Sequence, residues 1–213
     1  MDTFRLITMI CAALCLTTPS ALAEQLASAE GAGSGLVLMA EGETMYGPRG
    51  FYDLCARSPE QCPAPLAPTG ETAVTMSASM MTTLDRINRT VNSAYVPATD
   101  EEAHGVTDLW SHPTETADCE DFVIAKRQAL IEAGWPPEAL LIGVTLGQEA
   151  PYHAVLVVRT NAGELVLDNL RDDVLRWEDT GYSWVARQSK ADPRVWVRVI
   201  GFERAHLQGV GEI

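Results

Sequence analysis

Three side chains of this sequence, Cys119, His153 and Asp168, have the types and the order that covalent chemistry requires. Cys119 stands in Ala117-Asp118-Cys119-Glu120-Asp121-Phe122, at the head of a segment whose apolar residues Phe122, Ile124, Ala129 and Leu130 recur at near-helical spacing. Gly134-Trp135-Pro136-Pro137 supplies a stop, so the spacing predicts one amphipathic helix with Cys119 in its first turn. There the unpaired backbone N–H groups and the positive end of the helix dipole favour a thiolate over a thiol. His153 opens one predicted strand and Asp168 closes another. Across an antiparallel pair the two could meet, the carboxylate orienting the imidazole. A thiol, a base and an orienting carboxylate are the set that nucleophilic acyl transfer needs.

Taken singly, each has an ordinary explanation: a small buried cysteine, a satisfied core histidine, a strand-end aspartate. The joint order is what carries information. His104 and His112 are rival bases, but both lie in irregular chain upstream with no paired carboxylate on an adjoining strand, and His206 lies in the tail.

The elements that must hold these groups are legible as changes of period. Met81, Leu84, Ile87 and Val91 form a helical stripe that ends at Val96-Pro97. After the Cys119 helix the period falls to two. Leu140–Leu146, His153–Val158 and Glu164–Asp168 read as strands, with Asn161-Ala162-Gly163 as the hairpin turn between the last two. Val195–Ile200 reads as a final strand, after an aromatic stretch holding Trp177, Tyr182 and Trp184. Helices followed by sequential strands give an α+β class, with the nucleophile at a helix N-terminus packed on an antiparallel sheet. There is no internal repeat, no Gly-rich phosphate loop and no zinc-type Cys/His spacing.

A formal charge of −14 on 213 residues argues against nucleic acid and anionic membrane surfaces as partners. Met1 to Ala23 reads as a signal peptide: Arg5, an apolar run from Leu6 to Leu16, and a small-x-small site at Ala21-Leu22-Ala23. The expected organisation is a signal peptide over 1–23, a flexible leader over 24–46 in which Gly35–Met39 could add a short strand, and one domain over 47–213. No lipid anchor is expected, because Cys11 and Cys15 follow Ile10 and Leu14 rather than a small residue. A periplasmic or secreted destination is oxidising, so Cys55 and Cys62, seven residues apart, are expected to form a disulfide and to leave Cys119 free.

Asp118-Cys119-Glu120-Asp121, His153-Ala154-Val155-Leu156-Val157, Val166-Leu167-Asp168-Asn169 and Arg187-Gln188-Ser189, with Trp110-Ser111-His112-Pro113-Thr114-Glu115 upstream, together resemble the bacterial transglutaminase-like cysteine peptidases of the LapG type. The resemblance runs from about Asn92 to Val199, and the Cys55–Cys62 loop resembles that of the alphaproteobacterial branch. It implies a papain-like, transglutaminase-like core, Cys119 as nucleophile, His153 as general base and then acid, and Asp168 as the group that fixes the imidazole tautomer. It also implies a protein substrate such as a large surface adhesin, an inner-membrane regulatory receptor, and calcium held by Asp118 and Glu120.

Calcium there makes physical sense. A bare carboxylate about 6 Å from the thiol opposes thiolate formation by roughly 0.7 to 3 kcal/mol, depending on the effective dielectric, which can outweigh a helix-terminus gain of about 0.3 to 1 kcal/mol. A cation reverses the sign. The ordinary alternative makes Asp118 an N-cap and Glu120 and Asp121 favourable first-turn acids. The chain departs from the family at Ala117, where glycine is usual, and in a short link from Trp110 to Cys119. The backbone N–H of Cys119 is one oxyanion donor on this reading, and Trp110 is a candidate for the second. The same three residues would serve a transglutaminase, and a non-catalytic calcium-binding module is a third reading.

Overall fold

The computed structural model describes residues 37–62, 73–146 and 152–204, all within one compact unit, Leu36–Ile213. The signal peptide expected over 1–23 lies outside the described residues.

Strand β1 (Val37–Met45) is followed by helix α1 (Arg49–Arg57), which leads into the Cys55–Cys62 disulfide. Helix α2 (Ala78–Ala94) begins at Ser77, whose hydroxyl accepts the Met80 N–H, and it buries Leu84, Ile87 and Val91 as their spacing predicts. The short strands β2 (Val96–Pro97) and β3 (Thr116–Ala117) pair in parallel around a small helix, α3 (Asp100–His104). Thr99 and Glu102 form a reciprocal capping box on α3, and Gly105 closes it at φ +70°, a conformation glycine adopts without steric cost. Helix α4 (Cys119–Glu132) carries the candidate nucleophile as its first residue.

The remaining chain is sheet: β4 (Leu140–Leu146), β5 (Tyr152–Thr160), β6 (Gly163–Asp168), β7 (Arg171–Arg176), β8 (Trp184–Gln188) and β9 (Trp196–Arg204). With β1 they form seven strands in the order β1-β9-β8-β4-β5-β6-β7, every neighbouring pair antiparallel. The turn between β5 and β6 is Asn161-Ala162, and Gly163 takes φ +116° directly after it.

Three sequence expectations change. The leader expected over 24–46, with a short strand allowed at Gly35–Met39, is from Val37 on the longer edge strand β1, which pairs with β9 near the other end of the chain. Its Val-Leu-Met-Ala-Glu-Gly-Glu-Thr-Met sequence has only weak alternation, and its partner is far away in sequence. Strands β7 and β8 had no such signal. Arg171-Asp172-Asp173 puts charge into β7, which has to cover one side only because it is the opposite edge. The irregular chain expected around His104 and His112 contains α3, for which Thr99-x-x-Glu102 was the available signal.

Alternation along β5 sets two environments. Ala154, Leu156 and Val158 face α4 and α2 and join Leu84, Phe122, Leu130, Leu140 and Leu167 in the main core. Val155 and Val157 face away, against Leu141, Val166, Met39 and Trp177. This second face also carries buried charges: Arg187 bonds Glu164 and, at 2.6 Å, Glu41, tying β1 across to β6 and β8. Arg187 of the Arg187-Gln188-Ser189 segment is therefore a sheet fastener.

Candidate active site

His153 and Asp168 meet as the hairpin register requires. Leu156 faces Leu167 and Val157 faces Val166. Asp168 directly follows Leu167, which leaves it at the strand end beside His153. His153 Nε2 lies 2.8 Å from Asp168 Oδ1, with both side chains almost fully buried. The N–H of Leu170 donates to the same oxygen at 3.0 Å, and the hydroxyl of Tyr182 donates to Oδ2. Despite burial, the His153 contacts and the Tyr182 and Leu170 bonds together hold the Asp168 carboxyl below the usual range. Asp168 is thus an acceptor, so Nε2 carries the proton and Nδ1 is left as the basic nitrogen.

Cys119 reaches this strand end from the N-terminus of α4. It is the one free cysteine of the described residues, and Cys55–Cys62 is the disulfide that their spacing predicts. Its sulfur is bonded to Glu120 Oε2 at 3.0 Å. Burial above all, and then the Glu120 charge, drive the thiol well above its ordinary range; the backbone N–H of Ala154, next to His153, acts on the sulfur in the opposite sense. Among the described residues the sulfur shares no hydrogen bond with the imidazole. In this arrangement Glu120 holds the thiol as a thiol.

The acids around Cys119 form a cluster. Asp118 occupies the N-cap position of α4, yet its side chain makes no capping hydrogen bond; the Asp121 amide lies close enough only to soften its charge. One Asp118 oxygen, Oδ1, is buried and has no hydrogen-bond partner among the described residues. Oxygens of Asp100, Asp118 and Glu120 lie within 4.8 Å of one another. Burial is the leading cause that pushes Asp118 up to about 7 and Glu120 up to about 8, and their neighbours' negative charge adds to it. Three converging carboxylates and an orphaned buried oxygen are a donor set for a hard divalent cation. Asp118 and Glu120 were expected on sequence grounds; Asp100, on α3, was missed. It sits in a polar run of acids, and its burial depends on the fold of the 99–117 segment.

That segment is held from two sides. The Ser111 N–H donates to Asp121 Oδ1 at 2.8 Å, the Gly50 N–H at the start of α1 donates to Asp108 Oδ2 at 2.9 Å, and Arg57 donates to the Trp110 carbonyl at 2.9 Å. The Trp110 indole N–H donates to Asp108 Oδ1 at 2.9 Å and the side chain is buried, so Trp110 is not free to act as the second oxyanion donor. His112 lies 3.2 Å from Gln61 at the exposed disulfide loop, and His104 is exposed at the end of α3. Neither is placed on the sheet with a carboxylate. His206 lies outside the described residues.

The description "bacterial transglutaminase-like cysteine proteinase" matches residues 41–203. The chain belongs to that family. It is therefore a cysteine peptidase, and its substrate class is protein. Among solved structures it is similar to calcium-bound Legionella pneumophila LapG, at 22% identity over 62% of this chain and 75% of that one, with a TM-score of 0.47. A second Legionella pneumophila LapG structure gives 25% identity over 55% and 66% of the two chains, TM-score 0.43. An EGTA-treated form gives 23% over 55% and 66%, TM-score 0.44. No curated protein sequence matches. Among the described residues, no helix of this peptidase is long and apolar enough to cross a membrane.

Proposed function

We propose that this peptidase works outside the cytoplasm as a thiol protease in which Cys119 is the nucleophile, His153 the base and then the acid, and Asp168 the group that holds the imidazole. The observation that carries the reading is the buried 2.8 Å bond from His153 Nε2 to Asp168 Oδ1, because it leaves Nδ1 as the nitrogen able to take the thiol proton.

In the reaction the Cys119 sulfur turns from Glu120 to His153, Nδ1 takes its proton, and the sulfur bonds the peptide carbonyl carbon. The carbonyl electrons move to oxygen, which accepts from the Cys119 backbone N–H at the free end of α4. Collapse breaks the C–N bond as His153 returns the proton to the leaving amine. Water, deprotonated by His153, then opens the thioester and regenerates the thiol. Asp168 stays ionised throughout and compensates the imidazolium.

Asp100, Asp118 and Glu120 would hold calcium, as their oxygen donors suit that ion. Bound there, the ion supplies positive charge that turns carboxylates opposing the thiolate into neutralised ligands. Glu120 has to give up the sulfur in either case. The family resemblance further suggests a surface protein such as a large adhesin as substrate, with an inner-membrane receptor restraining the enzyme.

The test compares new N-termini on exported proteins between cells carrying the wild type and cells carrying Cys119→Ala. Cleavages present in the first and lost in the second support the reading; identical N-terminal profiles refute it.

A further inference from the structure

Both oxygens of Asp168 are occupied, and one of their partners comes from a part of the chain with no established role. Tyr182 lies between a 3-10 turn at Trp177–Asp179 and β8. Three local features aim it. The Thr180 hydroxyl donates to the Trp177 carbonyl at 2.7 Å and accepts the Tyr182 N–H at 3.3 Å. Gly181 then turns the chain at φ +71°, a conformation that suits glycine. The side chain reaches His153 on β5 and Asp168 at the end of β6.

There it makes three separate contacts. The hydroxyl donates to Asp168 Oδ2, the oxygen that His153 does not use. The ring meets the His153 imidazole edge-on, with centroids 5.8 Å apart at 60°. The guanidinium of Arg171, on β7, lies 5.5 Å above the ring centroid on the turn that follows Asp168. A carboxylate held at one oxygen can rotate about its Cβ–Cγ bond. One held at both, from opposite sides, presents a fixed lone pair to its partner.

We propose that Tyr182 is a positioning residue of the catalytic group: by clamping Asp168 Oδ2 and bracing the imidazole edge, it fixes the His153 tautomer and ring plane that the thiol meets, with Arg171 holding the phenol in place. The proposal rests on the triad reading above. Burial and the neighbouring Asp168 charge push the Tyr182 phenol well above its ordinary range, so it stays a donor across the working pH range. A merely space-filling tyrosine would need the ring and could lose the hydroxyl without effect.

Tyr182→Phe keeps the ring, the Arg171 contact and the imidazole edge, and removes the donor. The full chain is labelled with 15N-histidine, and the His153 ring nitrogens are assigned as the signals lost in His153→Gln. The wild type is expected to show a single tautomer protonated on Nε2, and Tyr182→Phe a mixture of tautomers. Alkylation of Cys119 by iodoacetamide at pH 7.5, followed by mass on the peptide carrying Cys119, is expected to slow about tenfold, the scale of one hydrogen bond to a charged group. A Tyr182→Phe protein with the wild-type tautomer and an alkylation rate within twofold of wild type overturns the proposal.

If Tyr182→Phe does not fold, 3-fluorotyrosine incorporated into the wild-type sequence replaces it. The more acidic phenol must move the His153 nitrogen shifts; unmoved shifts overturn the proposal equally. His153→Gln separates the two levels. Wild-type alkylation in His153→Gln brings down the triad itself, whereas slowed alkylation there with none in Tyr182→Phe brings down Tyr182 alone.

Discussion

Lys126 offers the sharpest quantitative test of the packing beneath the site. It projects from α4 two turns below Cys119 and is fully buried; among the described residues its Nζ has no hydrogen-bond partner and lies 5.9 Å from the Phe122 ring centroid. Burial pulls its pKa from 10.5 down to about 7, against the attraction of Asp168 and Asp172. At about 1.36 kcal/mol per decade, that displacement makes the charged form cost roughly 5 kcal/mol in the folded state relative to the unfolded chain. Methionine fills the same length without charge. Because that displacement already includes the attraction of the two aspartates, Lys126→Met is expected to stabilise the protein by roughly 4 to 5 kcal/mol at pH 6. The sign with pH follows from linkage. Between about 7 and 10.5 the unfolded chain holds a proton that the folded chain has released, so wild-type stability from this group rises with pH across that window. The variant lacks this gain, and its advantage is expected to shrink steadily and nearly close by pH 10. Urea unfolding of both proteins at pH 6, 8 and 10 measures the gap. A wild type more stable than Lys126→Met at pH 6, or a gap that does not narrow, refutes the argument.

Further outcomes follow from the acidic cluster and the segment that carries it. Calcium at about 100 times its dissociation constant is expected to add roughly 2.7 kcal/mol of stability at pH 8. The gain should fall toward pH 5, where protons occupy Asp118 and Glu120, and Asp100→Asn should lower calcium affinity at least about tenfold by calorimetry. At Gly50 an added Cβ would run into the Trp110 ring and come within 2.6 Å of Asp108 Oδ1. Gly50→Ala is therefore expected to cost about 1 to 3 kcal/mol in thermal or urea unfolding, and to weaken calcium binding by shifting the 108–111 segment off α4.

What was legible in the sequence was whatever depends on neighbours along the chain. Phe122 and Leu130 mark α4 by their spacing, and the short Asn161-Ala162 turn fixes the hairpin that brings Asp168 toward His153. What was hidden depends on distant pairing. Asp100 becomes buried only once α3 folds against α4, and Tyr182 reaches Asp168 only because Gly181 turns a loop back across two strands. No local period announces either. Strand β1 was legible only at its start, where Gly35–Met39 suggested a short strand; its length was hidden for the same reason, since its edge position tolerates Glu41 and Glu43 and its partner among the described residues, β9, is more than a hundred residues away.

That last pairing has a consequence for how the protein is made. The strand synthesised last lies between the one synthesised first and the remainder of the sheet, so a growing polypeptide offers β1 nothing to join until β9 has emerged. Until then Arg187 and Glu164 also wait for Glu41, and the second face stays open to water. Closure of such distant ends comes late and slowly.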